Sequence, residues 1–229
     1  MPPTPEPATE SADIDACELP ARTLRYYLVG IGASAGGLEA LTALIARLAP
    51  DLGLSYVVIQ HLSPTHRSML VPLLGRETPM AVREVEDGIV PEPDSIYVAP
   101  AGRNVLFENG CLRVVDTERE ALPKPSVNAF FSSLAAGMAE DSVGVILSGT
   151  GSDGTAGLRE IKAAGGFTFA QQPDSAKYTG MPQSAIDAGC VDWVLTPEQI
   201  AAEIGNLAHN RGRRLQVPEA ALKIGRAHV

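Results

Sequence analysis

Leu28-Val29-Gly30-Ile31-Gly32-Ala33-Ser34-Ala35-Gly36-Gly37-Leu38 decides the fold of this chain. An apolar run ends in a cluster of small residues, and a helical pattern (Leu38, Leu41, Leu44, Ile45, Leu48) begins at once. That is strand, tight turn and helix, with a serine at the tip of the turn. Two chemistries share these residues. Gly32-x-Ser34-x-Gly36 fits a nucleophile elbow, in which small neighbours let a sharply turned backbone lift a serine hydroxyl clear of a sheet. Gly30-x-Gly32-x-x-Ala35 fits a dinucleotide fingerprint.

Working outward, the first strand is expected over Leu24–Ile31 and its helix to Ala49, where Pro50-Asp51 breaks it. Ser55–Gln60 is a short β-branched run, hence a buried parallel strand, followed by His61, a Ser63-Pro64 turn and an amphipathic helix (Met69, Leu70, Leu73, Leu74). Residues 80–116 alternate instead: Ser95–Val98 and Val105–Phe107, then Asn109-Gly110, then Leu112–Val115. Asn-Gly between alternating runs is a hairpin signal, so this part is expected as an antiparallel addition at one edge of the sheet. After a polar loop over 117–125, Ser126 is placed to cap a helix running to about Gly137. Val143–Leu147 is the next buried strand. It enters a second small-residue turn, Ser148–Gly154, and a helix ending at Gly165-Gly166. The strand Phe167–Ala170, a short helix over Ser184–Ala188, the strand Val191–Leu195 and a helix from Pro197 complete the alternation. The fold class is therefore α/β, a doubly wound, mostly parallel sheet flanked by helices, with the hairpin at one edge. Residues 1–22 read as a disordered acidic, proline-rich leader, 23–210 as the domain, and 211–229 as a basic tail or linker.

The chain has 229 residues and a formal charge of -9, from 27 acids against 18 bases. Phosphate attraction needs a basic face, so an acidic domain is not a nucleic-acid binder. No apolar run approaches the ~18 residues of a membrane span, and the start lacks the basic and apolar regions of a secretory signal. Three scattered cysteines (Cys17, Cys111, Cys190) without metal or redox spacing point to reduced thiols in the cytoplasm.

Three polar residues share one address. Ser34 follows the first strand, His61 the second, and Asp153 the strand ending at Leu147. Ligands of open parallel sheets bind outside the carboxyl ends of the strands, where neighbouring strands bring such side chains together. A histidine that takes a serine's proton, oriented by a carboxylate, makes an activated nucleophile. Backbone N–H groups after Ser34 and in the Gly149–Gly154 turn are oxyanion candidates. Each residue also has a plain structural use: Ser34 and Asp153 as helix caps, His61 as a packed strand-end residue. His66, His209 and His228 compete weakly, because none follows a strand. A dinucleotide site wants an acid at the end of the second strand, and Gln60-His61 stands there.

On Gly32-Ala33-Ser34-Ala35-Gly36-Gly37, Gln60-His61, Pro125-Ser126-Val127, Ser148–Gly154 and Gly180-Met181-Pro182, the chain resembles the catalytic domain of the chemotaxis protein-glutamate methylesterases (CheB type), from about Tyr27 to Ala208. The resemblance implies hydrolysis of γ-glutamyl methyl esters on receptor helices with release of methanol, in some members also deamidation of receptor glutamines, without metal or cofactor. It implies Ser34 as nucleophile, His61 as general base and Asp153 as orienting acid. Ala35 and Thr150 would be the oxyanion donors, and Gly36 and Met181 substrate-site residues. The implied partners are a methyl-accepting chemoreceptor and a methyltransferase in cis or in trans, since the motifs look most like members fused to one. Ala35 stands where many relatives have Ser or Thr, and Thr150 where many have Met. Residues 1–22 stand where regulated relatives carry a receiver domain, so control by an aspartyl phosphate in cis is not expected. A catalytically silent signalling module and an esterase or amidase with another substrate are the alternatives.

Overall fold

The structure, a computed structural model, describes residues 27–61, 69–116 and 125–216, the side chains of 211–216 excepted. The expected leader, the strand start at Leu24, the Ser63-Pro64 turn, Cys17, His66 and His228 lie outside the described residues.

Seven strands form one parallel sheet: β1 (Leu28–Ala33), β2 (Ser55–Gln60), β3 (Ala81–Glu84), β4 (Ser95–Val98), β7 (Ser142–Ile146), β8 (Phe167–Gln171) and β9 (Trp193–Leu195). Their order is β3-β4-β2-β1-β7-β8-β9. β1 is central, fully buried, and paired with β2 on one side and β7 on the other. The chain winds outward from β1 through β2, then returns to the other side at β7. Such a reversal opens a crevice at the carboxyl ends of the strands.

Helices cover both faces, as a parallel sheet requires. On one face α1 (Gly37–Ile45), α2 (Leu70–Leu74) and α6 (Pro197–Gln216) bury Leu41, Leu44, Leu74 and Ile200 against Val29, Ile31 and Val58. On the other, α3 (Val127–Met138), α4 (Thr155–Ala163) and α5 (Gly180–Asp187) bury Phe130, Phe131, Leu158 and Met181 against Leu28, Val57 and Ile146. The glycines of β1 let α3 come this close. A Cβ on Gly30 would stand 2.8 Å from Phe131 Cε1, and one on Gly32 would overlap Val127. The pattern that resembles a dinucleotide fingerprint therefore serves helix-to-sheet packing, and its glycines face α3.

The alternating region divides differently from the sequence expectation. Ser95–Val98 does not belong with the hairpin: it is β4, parallel to β2 and β3 inside the main sheet. The hairpin is β5 (Asn104–Glu108) and β6 (Cys111–Val115), antiparallel, turning through Asn109 (φ 51) and Gly110 (φ 84). It forms its own two-stranded sheet rather than hydrogen-bonding to an edge. Its apolar face (Val105, Phe107, Leu112, Val114) is buried in the cluster built on α3. Ser126 caps α3 as expected, its Oγ accepting from the Ala129 N–H at 3.2 Å. α1 ends at Ile45 and α5 begins at Gly180, while α6 runs past residue 210 to Gln216. Cys190 is free and buried, whereas Cys111 is disulfide-bonded, against the expectation of reduced thiols throughout. Among the described residues no helix is long and apolar enough to cross a membrane.

Candidate active site

The register of the three central strands brings the expected residues together. Ala33 pairs with Gln60, and Gly32 with both Ile59 and Ile146, so Ser34, His61 and the 147–153 turn leave the sheet side by side. The ladder continues one step beyond the strands: His61 N–H donates to Ala33 O (3.0 Å), and Ser34 N–H to Ser148 O (3.0 Å). Ser34, His61, Asp153, Thr150 and Asn128 line one cavity of about 760 Å³, a size suited to a small ligand or an inserted side chain.

His61 Nε2 lies 2.8 Å from Asp153 Oδ2, and both side chains are largely buried, at 12% and 8% exposure. With Nε2 against the carboxylate, Nδ1 is the ring nitrogen left for a proton from a hydroxyl. Asp153 in turn is held by a helix other than its own. Its Oδ2 accepts from Val127 N–H (2.8 Å) and its Oδ1 from Asn128 N–H (3.0 Å), the first two amides of α3. With Ser126 taking the third, three N–H groups that an isolated helix leaves unpaired are satisfied. Burial pushes the Asp153 carboxyl up, but the hydrogen bonds from His61 and from the Asn128 and Val127 amides outweigh it and hold the group below the usual carboxylate range. The positive end of α3 acts in the same direction. Asp153 is thus an ionised partner for His61.

The Ser34 N–H is engaged by Ser148 and is no oxyanion donor. The N–H groups of Ala35 and Thr150 donate to no acceptor among the described residues. Thr150 sits in an exposed turn on the cavity wall. That turn is tied to the chain before α5: Gly149 N–H donates to Tyr178 O (3.0 Å) and Met181 N–H to Gly149 O (2.9 Å). Gly36 adopts φ +69 beneath Lys177 and Tyr178, where any Cβ would press on Ser148 Oγ. Met181 is not at the cavity surface. Its side chain is fully buried under Gly149, a floor for the turn rather than a substrate contact.

Several participants escape a reading by residue type. Gln60, Asn128 and Ser148 are ordinary polar letters in the sequence, yet each fixes a site element. Gln60 Nε2 donates to Ser34 O at 2.7 Å. Asn128 Oδ1 accepts from Gly154 N–H (2.9 Å) and Gly157 N–H (3.0 Å) at the start of α4. The buried Ser148 hydroxyl donates to Ala35 O at 2.9 Å. Their one sequence signal is adjacency to the strand ends and helix starts that carry Ser34, His61 and Asp153. Among the described residues no group of three or more His, Cys, Asp or Glu side chains is arranged to hold a metal ion.

The sequence model of the CheB methylesterase family matches residues 29–204. A "Protein-glutamate methylesterase/protein-glutamine glutaminase 2" of Anaeromyxobacter dehalogenans is 36% identical over 188 residues, 82% of this chain and 55% of the relative. The Geobacillus kaustophilus protein-glutamate methylesterase/protein-glutamine glutaminase is 37% identical over 79% of this chain and 53% of its own length. The Moorella thermoacetica protein of the same name is 36% identical over 91% of this chain and 50% of its own. The chain thus spans about half the length of the curated relatives it matches. The crystal structure of the Thermotoga maritima CheB methylesterase catalytic domain superposes with a TM-score of 0.74 at 29% identity, covering 80% of this chain and 98% of that one. The chain belongs to the CheB methylesterase family.

Proposed function

We propose that this chain is a serine hydrolase that demethylates glutamate γ-methyl esters on a chemoreceptor, and deamidates receptor glutamines by the same steps. The observation that carries this is the 2.8 Å contact of His61 Nε2 with a helix-capped, ionised Asp153, on the strand next to the one that presents Ser34. His61 Nδ1 takes the proton of the Ser34 hydroxyl as its oxygen attacks the ester carbonyl, and the Ala35 and Thr150 N–H groups stabilise the oxyanion. The imidazolium returns that proton to the leaving methoxide, releasing methanol, or to the amide nitrogen, releasing ammonia. Water, deprotonated by His61, then cleaves the acyl-serine to a glutamate carboxylate and regenerated Ser34.

The names of the relatives support a protein substrate, and a cavity that admits one side chain supports a glutamyl ester or amide at its centre. The receptor is the substrate, and a methyltransferase, in cis or in trans, supplies the esters. Methanol release from methylated receptor tests this: the wild-type chain turns over and Ser34→Ala, equally folded, does not. Unchanged turnover in that variant removes the assignment.

A further inference from the structure

We infer that Gln60 is a positioning residue that aims the Ala35 N–H at the oxyanion, and that residue 37 is glycine because the Gln60 amide occupies its Cβ space; this rests on the serine-hydrolase reading above.

Gln60 closes β2, paired with Ala33 and buried at 7% exposure. Its Nε2 donates to Ser34 O (2.7 Å) and, more weakly, to His61 O (3.2 Å), so one amide ties the chain bearing the nucleophile to the chain bearing the base. The opposite orientation of the amide would set its oxygen against two carbonyl oxygens, so chemistry assigns the atoms. The remaining atom, Oε1, is buried with no partner among the described residues and lies against Gly37, where a Cβ would overlap it. An apolar side chain of similar length would fill this space without an orphaned acceptor, so packing alone does not account for glutamine here.

The carbonyl that Gln60 holds belongs to the same peptide unit as the Ala35 N–H. In a planar trans peptide the C=O and N–H point opposite ways. Gln60 Nε2 and Gly37 N–H (2.9 Å) both hold the Ser34 carbonyl, so the Ala35 N–H points away from them, and no acceptor among the described residues takes it. The next carbonyl, of Ala35, is fixed by Ser148 Oγ. A donor oriented before the oxyanion forms needs no rearrangement during the reaction, which is where such groups gain their effect.

Gln60→Met keeps the length and removes the donor. Its kcat for methanol release falls about 10²–10³-fold with KM within about twofold, the loss expected for one oxyanion donor. Affinity for a glutamyl trifluoromethyl ketone, which forms the tetrahedral adduct, falls by a similar factor. Gly37→Ala retains Gln60 and favours the helix but displaces the amide, so it loses kcat to the same order, and the double variant loses little more than either alone. In Gln60→Glu the carboxylate repels the Ser34 carbonyl, whereas the protonated acid donates to it, so kcat relative to wild type rises as pH falls toward about 5. A packing role does not move that ratio. A folded Gln60→Met with kcat within about threefold of wild type overturns the inference, as does a rise in KM alone. If Gln60→Met does not fold, wild-type kcat in Gly37→Ala or a pH-independent ratio in Gln60→Glu overturns it. Turnover in Ser34→Ala would remove the serine reading itself; an inert Ser34→Ala beside an unimpaired Gln60→Met removes this inference alone.

Discussion

Asp153 and Asn128 exchange helix caps. The Asp153 carboxylate accepts from the first amides of α3, and the Asn128 side chain, on α3, accepts from Gly154 N–H and Gly157 N–H at the start of α4. The exchange joins two helix starts through residues that lie 25 positions apart in the chain. It also places a carboxylate under His61 without a flexible loop between them. Removal of the Asn128 side chain therefore acts on stability and on catalysis together. Asn128→Ala is expected to cost about 1 kcal/mol, the ordinary loss for a cap. That lowers the melting temperature by about 2–4 °C in a domain of this size. Asn128→Asp keeps an acceptor for both amides but sets a second carboxylate near Asp153. It should recover α4 less well, which thermal melts of the two variants beside wild type would show. Equal melting of Asn128→Ala and wild type would mean the exchange is not stabilising.

Asp153→Asn keeps part of the cap and removes the charge. Its one oxygen accepts from one of the two α3 amides while its NH2 faces the other, so the fold survives at a cost of about 1 kcal/mol. Its NH2 group, or a neutral oxygen, then faces His61 Nε2, and the ring no longer has a carboxylate to fix its tautomer. A loss of kcat by about 10⁴-fold is expected, with the far-ultraviolet spectrum unchanged. Methanol release under saturating receptor measures it, and a loss below about tenfold would count against the role assigned to Asp153.

The same substitution has a signature in pH. The folded-state Asp153 carboxyl lies below its ordinary value because of its hydrogen bonds to His61, Asn128 and Val127. A depressed carboxyl contributes stability that is present above its unfolded pKa, about 3.9, and is lost as pH falls through the folded value. The gap in melting temperature between wild type and Asp153→Asn should thus be steady above about pH 5 and shrink below about pH 4. Thermal melts from pH 7 to acid check this. A gap that widens on acidification would mean that folding raises the Asp153 carboxyl instead of depressing it.

Much of this site is legible in the sequence because β1, β2 and β7 are short apolar runs that end in polar residues, and a parallel sheet places such ends together. Ser34 and His61 follow as candidates from that placement. The arrangement of residues 80–116 does not, since a four-residue run such as Ser95–Val98 carries no information about the direction of its partner. Asp153 is equally opaque. Next to α4 in sequence, it reads as a cap for that helix, and its attachment to α3 exists only once α3 and α4 pack. Met181 shows the converse: a residue in a motif can serve from the core, here beneath the turn that begins at Gly149.

Gly32 links the strand that presents Ser34 to Asp153. A Cβ at this position would overlap Val127 and stand 3.2 Å from Ile146 Cδ1. Val127 is also the residue whose N–H holds Asp153 Oδ2 at 2.8 Å. Gly32→Ala therefore overpacks the β1–α3 contact and pushes the start of α3, with its carboxylate, away from His61. The expected destabilisation is about 1–3 kcal/mol, as for other insertions into a close-packed core. Activity should fall further than the loss of folded protein explains, since displacement of about 1 Å at a catalytic group costs up to about 10²-fold. Adding Val127→Ala removes the clash, so the double variant should be more stable than the sum of the single losses. Melting temperatures of the two singles and the double provide the coupling, and kcat measured on the same samples shows whether His61 and Asp153 are rejoined. Simple additivity of the two losses would show that Gly32 is not there to admit Val127.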